Sequence, residues 1–156
     1  MERHPLLDTD HLWGIGGSVD WAYKVFCRGY HVLYMDKCTD YPSTFYEEAA
    51  YPGPSNLEVR RALGTIKSFA DRLDLARTRP CTDRASSGYC LSDGRQWLVY
   101  APEGQVAVNA DEGIYVATFF DPVEGAVLRE ERVQGDRFLW LQVPGAKPVV
   151  VHLTPS

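Results

Sequence analysis

The second half of the chain alternates short apolar segments with turn-forming residues, and this pattern limits the fold more than any other feature. Glycine beside Asp, Glu or Pro recurs between the segments, for example at Asp93-Gly94, Glu112-Gly113 and Pro144-Gly145. Short strands separated in this way are typical of an antiparallel sandwich or barrel. The pattern predicts strands at residues 88–91, 96–100, 106–110, 114–120, 126–133, 137–143 and 148–153.

Residues 5–80 have a different pattern, which predicts strand, helix, strand and helix in that order. The run Pro5-Leu6-Leu7 indicates a short buried strand. Residues 30–35 form a second apolar run with aromatic side chains and a valine, which favours another strand. A long loop at residues 37–54, rich in tyrosine and proline, separates this strand from the second helix.

Both predicted helices carry end signals. Ser18 is a good N-cap for a helix from about residue 20 to residue 28, and Gly29 stands where a C-cap glycine belongs. The second helix begins with Ser55-Asn56-Leu57-Glu58, which has the spacing of a capping box. An apolar stripe at three- and four-residue spacing follows, and Pro80 is expected to end this helix after about twenty residues.

The composition changes at residues 80–87, where Pro, Thr, Asp and Ser predict a linker. The expected fold class is therefore α+β. We expect a strand–helix segment at residues 1–80, a linker at residues 81–87 and an antiparallel β module at residues 88–156.

The stretch Asp8-Thr9-Asp10-His11-Leu12-Trp13-Gly14 carries the candidate chemistry of the chain. Period-two alternation sends the side chains of Asp8 and Asp10 to the same side of the first strand. Two acids at the end of a buried strand, just before a helix, are typical of an α/β enzyme site. Asp36 stands in the same way at the end of the second predicted strand.

Two other interpretations of this stretch remain open. An Asp-x-Asp sequence at a strand end is often a helix cap or a turn former. Asp8, Asp10 and His11 also have the oxygen and imidazole atoms that bind metals, but no second cluster at ligand spacing completes a site, so no metal or cofactor is expected.

The net charge and the hydropathy of the chain limit the classes of partner that it is expected to bind. The formal net charge of −5 argues against a nucleic-acid surface, and no apolar run reaches the length of a membrane span. Residues 1–13 lack the features of a signal peptide, so a cytoplasmic location is the default if Met1 is the true start.

Cys81 and Cys90 could bridge a short loop, but free thiols are favoured.

The β module contains aromatic residues of the kind that stack on sugars, although core packing is expected to explain most of them. These residues are Trp97, Tyr100, Tyr115, Phe119, Phe120 and Trp140. Residues 137–143 are apolar on nearly both faces of the predicted strand. We expect one face to pack inside the module and the other against the helical part. His152 stands alone in this half of the sequence.

Several stretches, in order along nearly the whole chain, resemble the C-terminal part of the apiosidase-like bacterial glycoside hydrolases. Those enzymes have a TIM-barrel catalytic domain followed by a small β-sandwich that is often labelled collagen-binding. The matching stretches are Asp8-Thr9-Asp10-His11-Leu12-Trp13-Gly14-Ile15-Gly16-Gly17, Asp20-Trp21, Arg28-Gly29-Tyr30, Leu33-Tyr34-Met35-Asp36, Arg72-Leu73-Asp74-Leu75-Ala76, Ser87-Gly88-Tyr89-Cys90-Leu91 and Trp97-Leu98-Val99-Tyr100-Ala101-Pro102-Glu103-Gly104.

This resemblance implies that residues 1–80 are the last two strand–helix units of a (β/α)8 barrel and that residues 88–156 are the β-sandwich. It puts Asp8 or Asp10 near the position of the catalytic nucleophile, and the second catalytic carboxylate outside this chain. The two acids lie about 6–7 Å apart on one strand, so they cannot flank a sugar from opposite sides. By the same resemblance, the substrate-binding residues would be His11, Trp13, Trp21 and Asp36.

Three hypotheses follow. The chain is a C-terminal fragment of a glycoside hydrolase, inactive by itself; or it is a non-catalytic carbohydrate-binding accessory protein; or it is a small hydrolase that completes its barrel with another chain. All three make an oligo- or polysaccharide the expected partner. A homo-oligomer could also cover the open edges of an incomplete barrel.

Overall fold

The computed structural model describes residues 17–34, 56–135, 137–145 and 147–156. The helices are α1 (Val19–Cys27) and α2 (Asn56–Arg72), and a 3-10 turn spans Thr82–Arg84. The strands are β1 (Arg79–Pro80), β2 (Cys90–Ser92), β3 (Trp97–Ala101), β4 (Gln105–Val108), β5 (Gly113–Phe120), β6 (Val127–Gly135), β7 (Leu139–Gln142) and β8 (Val149–Pro155).

The strands form two antiparallel sheets. One has six strands in the order β1-β2-β3-β8-β5-β6, and the other consists of β4 and β7. The α+β class is confirmed, and β2 to β8 each lie within two residues of a predicted strand. The two-residue strand β1 was not predicted; it pairs with β2, with Arg79 opposite Ser92.

The central strands of the six-stranded sheet bury both of their faces. On β3, Trp97 and Val99 share a core with residues of β4 and β7, including Val106 and Leu141. The alternate residues of β3 share a second core with both helices, as Tyr100 does. The described fold therefore has three layers, with the helices on one face of the large sheet and the β4–β7 pair on the other.

The two ends of α1 are capped as the sequence predicts. The Ser18 Oγ atom accepts a hydrogen bond of 3.1 Å from the backbone N–H of Trp21. Gly29 has a φ of +80°, and its N–H donates to the Phe26 carbonyl at 2.9 Å. The N–H of Tyr30 donates to the Val25 carbonyl at 3.2 Å, which completes a Schellman motif.

Helix α2 ends at Arg72 rather than at Pro80, so it is shorter than predicted. The carbonyl of Asp74 accepts hydrogen bonds from the N–H groups of Arg77 and Thr78 and from the Thr78 hydroxyl, and the chain turns there. The buried side of α2 includes Phe69, whose ring meets that of Phe120 edge-on at a centroid distance of 5.1 Å. The helix thus packs on the sheet, as expected.

Two local predictions are wrong. Residues 30–34 form neither helix nor strand. The other strand predicted in this part of the chain, at residues 5–7, lies outside the described residues. The strand near residue 140 does not pack its second face against the helices, because the helices cover the opposite side of the six-stranded sheet. The domain bounds 1–80, 81–87 and 88–156 stay a prediction.

We expect Phe69→Ala to lower the free energy of unfolding by about 3–5 kcal/mol, because it leaves a cavity between α2 and the sheet. Urea unfolding followed by circular dichroism would measure the loss. Leu57→Ala on the same helix is the matched control: Leu57 is 54% exposed, so its truncation should change stability by less than about 0.5 kcal/mol. Equal losses in the two variants would contradict the packing of α2 on the sheet.

Candidate functional site

Most of the residues singled out from the sequence lie outside the described part of the chain. Asp8, Asp10, His11, Trp13 and Asp36 are among them, and their roles stay predictions. Trp21 is described, on the first turn of α1, and is only 3% exposed within the core shared by the helices and the sheet. Its part in substrate binding also stays a prediction.

The chain enters α1 through a close contact between Gly17 and the indole of Trp21. Gly17 has a φ of +135°, a value that side chains rarely allow. A Cβ atom added there would lie 2.5 Å from Cε3 of Trp21, closer than any real contact. Gly17 therefore lets the backbone approach the buried ring directly after the candidate stretch, which explains one glycine of the run that follows Trp13.

Polar contacts fix α1 against the large sheet. The hydroxyl of Tyr100 on β3 donates to Asp20 Oδ1 at 3.0 Å, and Lys24 Nζ lies 2.5 Å from Asp20 Oδ2. The hydroxyl of Tyr23 donates to the Pro122 carbonyl at 2.7 Å, and the Tyr23 and Tyr100 rings stack at 5.1 Å. These contacts hold the helix that follows the candidate stretch in one position on the β layer.

The buried hydroxyls and thiols at this junction are protonated at neutral pH. Burial raises the pKa of Tyr100, and the nearby charge of Asp20 raises it further. Burial also raises the pKa of Tyr23, and it raises the pKa of Cys27 to about 12. A protonated thiol is a poor nucleophile, so burial disfavours nucleophilic chemistry at Cys27.

His152, which the sequence leaves isolated, is buried and belongs to a hydrogen-bonded chain that reaches the surface. Its Nε2 atom lies 2.8 Å from Gln96 Oε1, and Gln96 Nε2 donates to Asp93 Oδ2 at 3.0 Å and to the Arg72 carbonyl at 3.3 Å. Because the Gln96 amide nitrogen donates to two acceptors, its oxygen faces the ring, which assigns the proton to Nε2 of His152.

The environment of His152 suits a structural role. Its pKa is lowered to about 4, mainly by burial and further by the positive charge of Arg72, although Asp93 acts in the opposite direction. The ring of Phe69 covers it edge-on, at a centroid distance of 6.2 Å. The neutral imidazole thus joins β8 to the C-terminal end of α2. His152 and Gln96 are 56 positions apart in the chain, so no local pattern indicates this contact.

A depression of about 540 Å³ lies elsewhere, where β6 ends and the chain turns toward β7. Its walls carry Asn109, Asp111, Glu112, Gln134 and Arg137. Arg84 Nη1 fixes one wall, because it donates to Asp111 Oδ1 at 3.2 Å and to the Asn109 carbonyl at 3.3 Å. Amides, carboxylates and a guanidinium suit a ligand that is rich in hydroxyl groups.

Two features are absent from the described residues, a cluster of metal ligands and a membrane-spanning helix. Among them, no group of three or more His, Cys, Asp or Glu side chains could hold a metal ion. No helix in that part of the chain is both long and apolar enough to cross a membrane. Cys81 and Cys90 are free thiols, so the possible bridge between them is not formed.

No family model matches the chain, and no curated protein sequence matches it. Solved structures do share its fold. One, described as a glycoside hydrolase, is 12% identical with a TM-score of 0.64, and the match covers 98% of this chain and 40% of that one. A glycoside hydrolase family 5 protein from Bacteroides vulgatus ATCC 8482 is 9% identical with a TM-score of 0.51, covering 63% of this chain and 24% of that one. The chain therefore spans less than half the length of either protein, and the likeness is one of fold.

The free energy of unfolding should fall as the pH drops from about 6.5 to about 4 because of His152. In the unfolded chain imidazole takes up its proton near pH 6.5, whereas in the folded chain it does so near pH 4. Between these values the unfolded state binds more protons, so acid favours unfolding by up to about 3 kcal/mol from this group.

Urea unfolding over this pH range would measure the effect, with His152→Gln as the comparison. Glutamine can still bond to Gln96 but does not titrate. The variant should therefore lose less stability than the parent chain as the pH falls. An equally steep loss in both proteins would show that His152 is not the group responsible.

Proposed function

We propose that this chain is the C-terminal segment of a glycoside hydrolase that acts on plant or bacterial polysaccharide. In this proposal, residues 1–80 are the last two strand–helix units of a (β/α)8 barrel and residues 88–156 are the β-sandwich that follows it, as in the apiosidase-like enzymes. The observation that carries the proposal is the fold likeness to one glycoside hydrolase over 98% of the chain.

The acids before α1 supply the chemistry in this proposal. Glycosidases of the common kind use two carboxyl groups on either side of the scissile bond, one of them a nucleophile or base and the other an acid. Asp10 or Asp8 takes the first role, at the carboxyl end of a barrel strand, where the catalytic residues of such barrels lie. His11 and Trp13 shape the sugar subsite, and Asp36 and Trp21 contribute to it.

The length of the chain argues that the activity needs more than these residues. A complete barrel of this kind takes about 250 residues, and the chain has 156, of which about half belong to the β module. The second carboxyl group would come from barrel units that this chain does not contain. We therefore expect no turnover from the chain alone.

The described contacts give the β layer a supporting role in this proposal. Strand β3 holds α1 through the Tyr100 hydroxyl and the stacked Tyr23 ring. A sugar-cleaving site needs its carboxylates placed within a fraction of an ångström, which requires rigid elements behind them. The anchored α1 provides such an element immediately after the acids.

The proposal is tested by assaying the release of sugar from aryl glycosides. We expect no release by the 156-residue chain. We expect release by a polypeptide extended at its N-terminus by the in-frame upstream codons, and a loss of at least about 100-fold in its Asp10→Asn or Asp8→Asn variant. Circular dichroism of the variants would check that they remain folded.

Two outcomes would contradict this proposal. One is turnover by the 156-residue chain that Asp10→Asn abolishes, which would favour a hydrolase that completes its site by assembly. The other is an extended polypeptide whose hydrolysis is unchanged by substitution of Asp8 and of Asp10.

A further inference from the structure

Two aromatic side chains near the β4–β7 sheet are exposed to solvent, one on β7 and one in the turn before it. Trp140 is 67% exposed and Phe138 is 75% exposed. In contrast, Trp97, Tyr115 and Phe119 of the same module are buried in the core. Large aromatic side chains bury more apolar area than most residues, so an exposed pair indicates a contact that the described fold does not make.

The neighbours of these rings leave them accessible and add polar groups. Trp140 pairs with Ala107 on β4, whose methyl side chain is too short to cover an indole. The next pair on the same face joins Gln142 to Gln105, and both amides are exposed. Phe138 lies in the turn that leads into β7, two residues before Trp140. We call these five residues the aromatic face.

One residue that lines the polar depression described above is a chain neighbour of the aromatic face. Arg137, which lines it, directly precedes Phe138 in the chain. Asp111 and Glu112 offer carboxylate acceptors there, and Asn109 and Gln134 offer amides. Because Arg84 already fixes Asp111 and Asn109, these acceptors are held in place before any ligand arrives.

We propose that the aromatic face and the adjoining depression form a binding site for an extended polysaccharide chain. One face of a pyranose ring is lined by C–H groups and stacks on an aromatic ring, while the hydroxyl groups at its rim need hydrogen-bond partners. Trp140 and Phe138 supply two stacking surfaces in a row. The amides of Gln105 and Gln142 and the carboxylates of the depression supply the partners.

The size and charge of the surface favour a glycan over a protein or a nucleic acid. Two aromatic side chains bury at most about 500 Å² together, whereas a stable protein interface needs about 800 Å² from each partner. The depression contains two carboxylates and the chain has a net charge of −5, both of which disfavour nucleic acid. The aromatic residues are bordered by amides and a small residue rather than by further aliphatic side chains.

This site is separate from the proposed catalytic acids, and it rests on the proposed function only for the idea that the partner is a carbohydrate. Retention by a polysaccharide and hydrolysis of a glycoside are different measurements. Retention without hydrolysis in the extended polypeptide would remove the proposed function and leave this site. Hydrolysis without retention would leave the proposed function and remove this site.

Affinity electrophoresis tests the proposal with the full 156-residue chain. Native gels would contain no polysaccharide, or xyloglucan, galactomannan, arabinogalactan or hydroxyethyl cellulose. We expect at least one of these polymers to slow the parent chain. Trp140→Ala should weaken that retention about tenfold or more, and Phe138→Ala should weaken it to a smaller degree. Val127→Ala is the matched control, since Val127 is an exposed apolar residue on β6, and it should be retained like the parent chain.

Sedimentation velocity completes the test, because it reports both folding and self-association. A folded monomer whose retention depends on Trp140 supports the site. Unchanged mobility of the parent chain in all four polymers, or equal retention of the parent and Trp140→Ala, overturns it. A parent dimer that Trp140→Ala separates, without retention of either protein, also overturns it and assigns the aromatic face to a second copy of this chain.

Discussion

The fold depends on a central sheet that has no solvent-facing side along its middle strands. Every residue of β3 is buried, and β8 is buried from Val149 to Leu153. Burying a side chain such as Val or Leu contributes about 1.5–3 kcal/mol, so such strands are stable only when both faces are covered. The β4–β7 pair covers one face and the two helices cover the other. The helical half and the β half of the sequence thus contribute to a common core, and the helices are needed by the sheet as much as the sheet is needed by them.

The features that the sequence predicts well are local ones. The turns between strands depend on Gly, Pro and Asp at particular positions, and the caps of α1 depend on Ser18 and Gly29, whose partners lie within four residues. The end of α2 is different. The apolar spacing continues through Leu73, which is buried although it lies outside the helix. Apolar periodicity indicates which residues are buried and does not fix where a helix ends. Here the turn at Asp74 keeps Leu73 buried although the helix has already ended.

The features that the sequence misses depend on distant partners. The environment of His152 comes from Gln96, in the turn between β2 and β3, and from Arg72, at the end of α2. The same limit applies to the aromatic residues, since Trp97 and Trp140 are both tryptophans on apolar strands. Strand β3 lies in the middle layer and β7 in an outer one, so only the order of layers distinguishes them. The candidate acids are the reverse case. A local Asp-x-Asp pattern and a resemblance single out Asp8 and Asp10, which lie outside the described residues.

The order of layers also separates helix α1 from the aromatic face. Helix α1, which follows the candidate acids, packs on one face of the six-stranded sheet, and the aromatic face belongs to the layer on the other side. Packed sheets alone lie about 10 Å apart, so the outer surface of β7 and the nearest part of α1 are separated by more than that distance. A mono- or disaccharide is too short to contact both layers, whereas a polymer can. In the proposed hydrolase, the aromatic face is expected to act on polymers rather than on small glycosides. Its contribution in a hydrolase would be to keep a long substrate at high local concentration, which raises the apparent affinity for polymers and leaves the cleavage of small glycosides unchanged.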